Sequence, residues 1–182
     1  MAMKLSTLSV LLGTVVALLN LWGLLKPAAF TAAARKFPRS VPIGCVLMLI
    51  ATAWFIINLK NENISDFESL KKYLFYLFAA VGLGTCVFVQ DFLAVRGLAV
   101  VLLLVAKLML DLQRWLDTDW RLVIAVWAYL FVIAGIWFTI SPWRLRDLIN
   151  WGTASLQRVR ILSGIRLAFG LLVVALGLLV FP

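Results

Sequence analysis

The sequence predicts an all-α integral membrane protein that crosses the bilayer with about six helices. Of its 182 residues, 64% are apolar and 14% are charged, whereas soluble domains have roughly 45–50% and 25%. The mean hydropathy is +1.06. A helix needs about 20 apolar residues to cross a hydrocarbon layer of about 30 Å. The chain contains several such runs separated by short charged segments, so we expect a single transmembrane domain over residues 1–182.

Each predicted span is an apolar run bounded by charged residues, proline or glycine. The first run follows Lys4 and is too long for the apolar core of a signal peptide, so we interpret it as a span. Aromatic residues, tryptophans above all, lie near the ends of many runs, as in an interfacial belt. The six spans are predicted at residues 5–25, 41–59, 73–89, 98–112, 122–140 and 161–181.

Three polar segments between the spans predict local structure. Ser65 and Glu68 have the spacing of a capping box, which predicts the start of the helix that becomes span three. The link at residues 90–97 is short, so spans three and four should form a tight hairpin, which Asp91 and Arg96 are expected to hold together. Residues 142–151 begin with proline and alternate apolar and basic side chains, which predicts a short helix lying flat in the membrane interface.

The distribution of charge predicts the orientation. With alternating spans, one side has ten basic and two acidic residues, a net charge of +8, and the other has seven basic and six acidic residues, a net charge of +1. By the positive-inside rule the first side is cytoplasmic, which places both termini outside the cytoplasm. The basic residues lie between spans, so the expected partner is an anionic lipid headgroup and not nucleic acid. The residues expected to contact headgroups are Trp143, Arg144, Arg146, Arg158 and Arg160.

Catalytic chemistry has little support in this composition. The chain has no histidine, which excludes histidine-ligated haem, chlorophyll or zinc and Ser-His-Asp catalysis. Its two cysteines, Cys45 and Cys86, lie in apolar runs and are expected to be buried thiols without a role. We therefore expect no cofactor, no metal site and no enzymatic activity.

Four ionisable residues in or near spans are the candidate polar or interface positions. Lys107 and Asp111 are four residues apart and share a helix face, where they would pair, line a polar path or meet a partner's acid. Arg96 lies close enough to the cytoplasmic edge for its side chain to reach the interface, and Asp91 lies in the adjoining link. Gly170 and Gly177 are seven residues apart and would allow a close helix contact within the chain or with another subunit.

The first and last hairpins share a pattern at their turns. Trp22 lies five residues before Pro27, and Trp137 lies five residues before Pro142. Each proline is followed by a short helical segment, basic residues and a glycine that enters the next span. Three parallel helical hairpins would explain this pattern, although interfacial Trp, Pro and Arg recur in any membrane protein.

The C-terminal third of the chain carries a family resemblance. Pro142-Trp143-Arg144, followed by Arg160, Gly164 and Gly170, resembles a family of short two-helix bacterial inner-membrane proteins of unknown function. Because that family has no assigned activity, the resemblance implies only a location in the inner membrane.

Three functional hypotheses follow. The first is a non-catalytic accessory, assembly or scaffold subunit of a membrane complex, associated with other membrane subunits or with itself. The alternative is a small-solute transporter or channel, alone or as an oligomer, that uses the Lys107 and Asp111 face. An intramembrane enzyme acting on lipid is the least favoured, because the cytoplasmic side offers only Asp91 and Asp147 as acids.

Overall fold

A computed structural model describes residues 4–62, 70–114 and 116–181. Every regular element among these residues is helical. Six of the helices are long and apolar enough to cross a membrane, which confirms the prediction of an all-helical chain with six candidate spans. The elements are α1 (Leu5–Leu25), α2 (Pro27–Lys36), a 3₁₀ turn (Phe37–Arg39), α3 (Val41–Asn61), α4 (Lys71–Phe88), α5 (Leu93–Gln113), α6 (Arg121–Ile140), α7 (Trp143–Gly152) and α8 (Leu156–Leu179).

The helices group into two compact units. The first unit contains α1, α2, the part of α5 from Ala106, α6 up to Leu130, and the chain from Arg146 onward. The second unit contains the 3₁₀ turn, α3, α4, α5 up to Val105, and Phe131–Leu145. The long helices α5 and α6 are therefore each divided between the two units.

The first unit is built on an antiparallel contact between α1 and α8. A Cβ added to Gly13 would lie 2.7 Å from the carbonyl oxygen of Gly170, and one added to Gly170 would lie 2.9 Å from the backbone nitrogen of Ala17. Further along, a Cβ on Gly177 would lie 3.0 Å from the carbonyl oxygen of Ser6. The two backbones therefore touch through small residues. Lipid provides no hydrophobic drive between helices, so such close van der Waals contact is the main source of attraction.

The second unit contains an antiparallel contact between α3 and α4. Gly82 lies against Thr52, whose hydroxyl donates to the carbonyl oxygen of Met48 at 2.8 Å. One turn further, the rings of Phe55 and Phe78 pack with centroids 4.6 Å apart. In the same unit, Val95 and Ala99 of α5 and Phe138 of α6 form a buried apolar cluster. Within the second unit, these contacts pair α3 with α4 and part of α5 with part of α6.

Two helices begin five residues before the predicted spans. α5 begins at Leu93 and not at residue 98, so Arg96 and Gly97 belong to the helix and not to the link. α8 begins at Leu156 and not at residue 161, because the Ser155 hydroxyl accepts a hydrogen bond from the backbone N–H of Arg158 and caps the helix. The hydropathy pattern places these starts too late, since it omits helical turns that contain arginine. The predicted capping box at Ser65 lies outside the described residues.

Replacing Gly170 by valine should destabilise the first unit. The added side chain would meet backbone atoms of Gly13 and Ala17, which cannot move aside, and overpacking of this kind costs about 1–3 kcal/mol. Gly164 on the same helix is the matched control, because a Cβ there meets no atom within 4 Å. Thermal unfolding in mild detergent should therefore show a lower midpoint for Gly170→Val than for Gly164→Val. Equal midpoints would contradict the packing described here.

Candidate functional site

α5 differs from α1 in the length of its uncharged stretch. Ten residues separate Arg96 from Lys107, which corresponds to about 15 Å of helix. The hydrocarbon layer is about 30 Å thick. α1, by comparison, carries no charged residue along its 21 residues. If α5 crosses a bilayer, at least one of these two residues has its backbone at hydrocarbon depth, where an ionised side chain is costly.

Lys107 and Asp111 lie together on one face of α5, as their spacing predicts. Lys107 Nζ is 2.9 Å from Asp111 Oδ2, and the two side chains are 45% and 50% exposed. α5 is otherwise the most buried of the six candidate spans. Lys107 and Asp111 are the two residues of this helix that are classed as exposed on the protein surface. The two most exposed positions of α5 therefore form an ion pair.

Stabilisation of the helix gives no sufficient reason for this ion pair. A basic residue placed four positions before an acidic one is the less favourable order on a helix. Asp111 also lies in the last turn of α5, which ends at Gln113, and the helix dipole disfavours a negative charge there. Because the order and the position are both unfavourable, stabilisation of the helix does not by itself account for the pair.

Asp91 and Arg96 occupy different environments. Asp91 is exposed in the turn between α4 and α5, whereas Arg96 is partly buried in the second turn of α5 and its Nε has no hydrogen-bond partner among the described residues. Within the described residues no ion pair joins the two side chains, contrary to the expectation that they hold the hairpin together. The turn is formed by the backbone of Phe92, which has a positive φ of 53° and accepts hydrogen bonds from Val95 and Arg96.

The end of α2 is bound to the turn between α7 and α8. Arg35 donates from Nε to the Thr153 hydroxyl at 3.0 Å and from Nη2 to the Thr153 carbonyl oxygen at 2.9 Å. The Thr153 hydroxyl in turn donates to the carbonyl oxygen of Ile149 at 2.7 Å. Thr153 is buried. This contact joins two basic segments within the first unit. It could not be predicted from the sequence, because the partners are 118 positions apart.

The residues predicted to contact headgroups lie at or near the surface of α7 and the start of α8. The Arg158 guanidinium donates to the Trp151 carbonyl oxygen at 3.0 Å and lies 5.2 Å above the Trp151 ring. Arg146 pairs with Asp147 at 3.0 Å. Trp143, Arg144 and Arg160 are exposed. This arrangement leaves several basic side chains and an indole ring accessible on short helical segments, which is typical of residues that meet headgroups.

No arrangement for metal binding is found among the described residues, where no three His, Cys, Asp or Glu side chains gather. Comparison with protein-family models, with curated proteins and with solved structures finds no match to this chain. The assignment of function therefore rests on the geometry of the chain itself.

Replacing Arg35 by glutamine should loosen the turn between α7 and α8. The change removes the charge-assisted hydrogen bonds to Thr153, which we expect to cost about 1 kcal/mol at this partly exposed position. Arg39→Gln is the control, since Arg39 is exposed and makes no hydrogen bond in the described structure. Amide hydrogen exchange in nanodiscs should be about five times faster at Thr153 and Ala154 for Arg35→Gln only. Unchanged exchange would mean that the contact does not hold the turn.

Proposed function

We propose that this chain is a non-catalytic subunit of a larger membrane complex, with a role in assembly or as a scaffold. The observation that carries the proposal is the ion pair of Lys107 and Asp111, which occupies the two exposed positions of the most buried candidate span. A charged side chain facing lipid costs about 2.5–3.5 kcal/mol at the centre of a span. A second protein that covers this surface would remove that cost.

The chemistry of the surface defines the partner. The expected partner is a transmembrane helix with a carboxylate or amide side chain at the depth of Lys107, so that the ammonium group and Asp111 both gain hydrogen bonds on association. Interhelical hydrogen bonds of this kind contribute about 0.6–2 kcal/mol in membranes. Such a contact gives orientation and specificity, as expected of an assembly subunit.

The proposed location is the inner membrane, with the basic side in the cytoplasm and both termini on the other side. The charge difference of +8 against +1 supports this orientation. The contact between Arg35 and Thr153 is consistent with it, because it brings together basic segments of the first and last cytoplasmic loops. On that side, Trp143, Arg144, Arg146, Arg158 and Arg160 would contact anionic headgroups.

We further propose that the chain arose as three helical hairpins. Support comes from two segments with the same order of elements, in which α1, α2 and α3 correspond to α6, α7 and α8. In each segment a short helix of 10 residues separates two long apolar helices. The turn between α4 and α5 would be the middle copy without its short helix.

Replacing Lys107 by leucine should leave folding intact and abolish binding of the partner subunit. Loss of the charge favours insertion by about 2–3 kcal/mol, which offsets the loss of the ion pair with Asp111. The full chain is affinity-purified from its membranes in mild detergent. Quantitative mass spectrometry then measures the amount of partner that co-purifies. We expect a stoichiometric partner with the wild type and its loss in both Lys107→Leu and the double variant Lys107→Leu, Asp111→Leu. Arg146→Leu is the control, because it breaks a similarly exposed ion pair outside the spans.

Two results would contradict the assembly role. If Lys107→Leu is degraded while the double variant behaves normally, the pair has a structural function within the chain. If the wild type and all variants purify as the same homo-oligomer with no other subunit, the transporter or channel hypothesis is favoured instead.

The proposed orientation predicts that a reporter attached after the last residue is active only outside the cytoplasm. Alkaline phosphatase fused to the C-terminus should be active, and a fluorescent protein that requires the cytoplasm should be dark. Fusions placed in the segment between α7 and α8 serve as the control and should give the opposite pair of results. A C-terminal fusion active only in the cytoplasm would overturn the orientation.

A further inference from the structure

A cavity lies at the start of α8, where polar side chains give way to apolar ones. It has a volume of about 260 Å³ and is lined by Ser155, Gln157, Arg158, Ile161 and Leu162. The first three residues supply hydroxyl, amide and guanidinium donors, and the last two are aliphatic. None of the five is acidic. The cavity therefore combines hydrogen-bond donors and a positive charge at one end with an apolar surface at the other.

The guanidinium group of Arg158 is held in place while most of its donors stay open. Its Nη1 donates to the Trp151 carbonyl oxygen at 3.0 Å, and its central carbon lies 5.2 Å from the centre of the Trp151 ring. A guanidinium has five N–H donors, and this is the one side-chain hydrogen bond that Arg158 makes among the described residues. A fixed, planar cation with open donors is well suited to bind a phosphate.

An apolar surface continues from the cavity along α8. Ile161 and Ile165 lie three and seven residues after Arg158, on the same helix face, and are 55% and 63% exposed. Leu172 extends this face 14 residues after Arg158, which corresponds to about 21 Å of helix. One leaflet contributes about 15 Å to the hydrocarbon layer. The face is therefore long enough to follow a lipid acyl chain through its leaflet.

We propose that this cavity binds one anionic glycerophospholipid. The phosphate would accept hydrogen bonds from Arg158 and Gln157, and an acyl chain would lie along Ile161 and Ile165. Choline and ethanolamine headgroups bring a positive charge, which would meet Arg158, and the Trp151 ring that could hold such a charge is already covered by the guanidinium. Basic pockets beside transmembrane helices are known to take anionic headgroups. The inference rests on the proposed contact of this segment with headgroups and narrows it to one lipid at one site.

The test compares three variants that lower the net charge by the same amount. Arg158→Gln and Gln157→Glu change the cavity, whereas Arg160→Gln changes an exposed residue of the same helix outside it. The full chain, freed of lipid in mild detergent, is given phosphatidylglycerol and phosphatidylcholine with identical acyl chains, and native mass spectrometry measures the bound lipid. We expect the wild type and Arg160→Gln to retain one phosphatidylglycerol. The two cavity variants should bind it about tenfold more weakly, the factor that about 1.4 kcal/mol of lost binding gives.

Gln157→Glu keeps the test decisive if the loss of Arg158 disturbs the turn. Residue 157 is exposed in the first turn of α8, where a negative charge suits the helix dipole, so this variant should fold like the wild type. Wild-type affinity of Gln157→Glu for phosphatidylglycerol would overturn the proposal. An equal loss in all three variants would also overturn it, while the general contact with headgroups would stand. A wild type that does not prefer phosphatidylglycerol would contradict both.

Excess inorganic phosphate distinguishes the lipid from the free ion. At an ionic strength matched with chloride, it should not displace phosphatidylglycerol, because it lacks the acyl chains that pack on the apolar face of α8. Displacement by phosphate but not by chloride would show that the cavity recognises the ion alone, and the lipid proposal would then be wrong.

Discussion

Backbone hydrogen bonding without water is the constraint on which the other features of this chain depend. In a hydrocarbon layer each N–H and C=O group has to be paired within the protein, which leaves the helix as the available form for a single span. Three threonine side chains within the candidate spans are paired in the same way. The hydroxyls of Thr52, Thr85 and Thr139 each donate to the carbonyl oxygen four residues earlier. At the end of α3, Lys71 donates to the carbonyl oxygens of Lys60 and Glu62.

Once the helices are formed, they have to be held together by close van der Waals packing, because lipid is as apolar as leucine and gives no hydrophobic drive. The contact between α1 and α8 meets this demand by placing glycine opposite glycine, so that backbone atoms approach directly. Since α8 runs antiparallel to α1, the end of α1 and the start of α8 lie at the same end of the first unit. Arg35 on α2 can then reach Thr153, and this polar contact depends on the apolar contact between the two long helices.

Hydropathy and spacing predicted the helices well and their partners poorly, for a physical reason. The length of an apolar run is a local property, so all six candidate spans were predictable. The four-residue spacing of Lys107 and Asp111 predicted their shared helix face, where pairing was one of the alternatives. Gly170 and Gly177 were predicted to permit a close contact, but the sequence does not indicate that α1 is the partner, because its Gly13 is far away along the chain. The expected pairing of Asp91 with Arg96 was wrong because the backbone of Phe92 forms the turn and leaves Asp91 exposed.

The ion pair on α5 is the feature that these packing rules do not explain. Buried charges in proteins are retained either because their removal leaves a partner unpaired or because they give specificity. The first reason is weak here, since both members lie on the surface and could be replaced together by apolar residues without leaving a buried charge. The second reason requires something outside the chain that distinguishes a charged surface from an apolar one. Lipid tails make no such distinction in favour of the charge, whereas a second protein with a complementary polar group does, which is why we place the functional surface of this chain at Lys107 and Asp111.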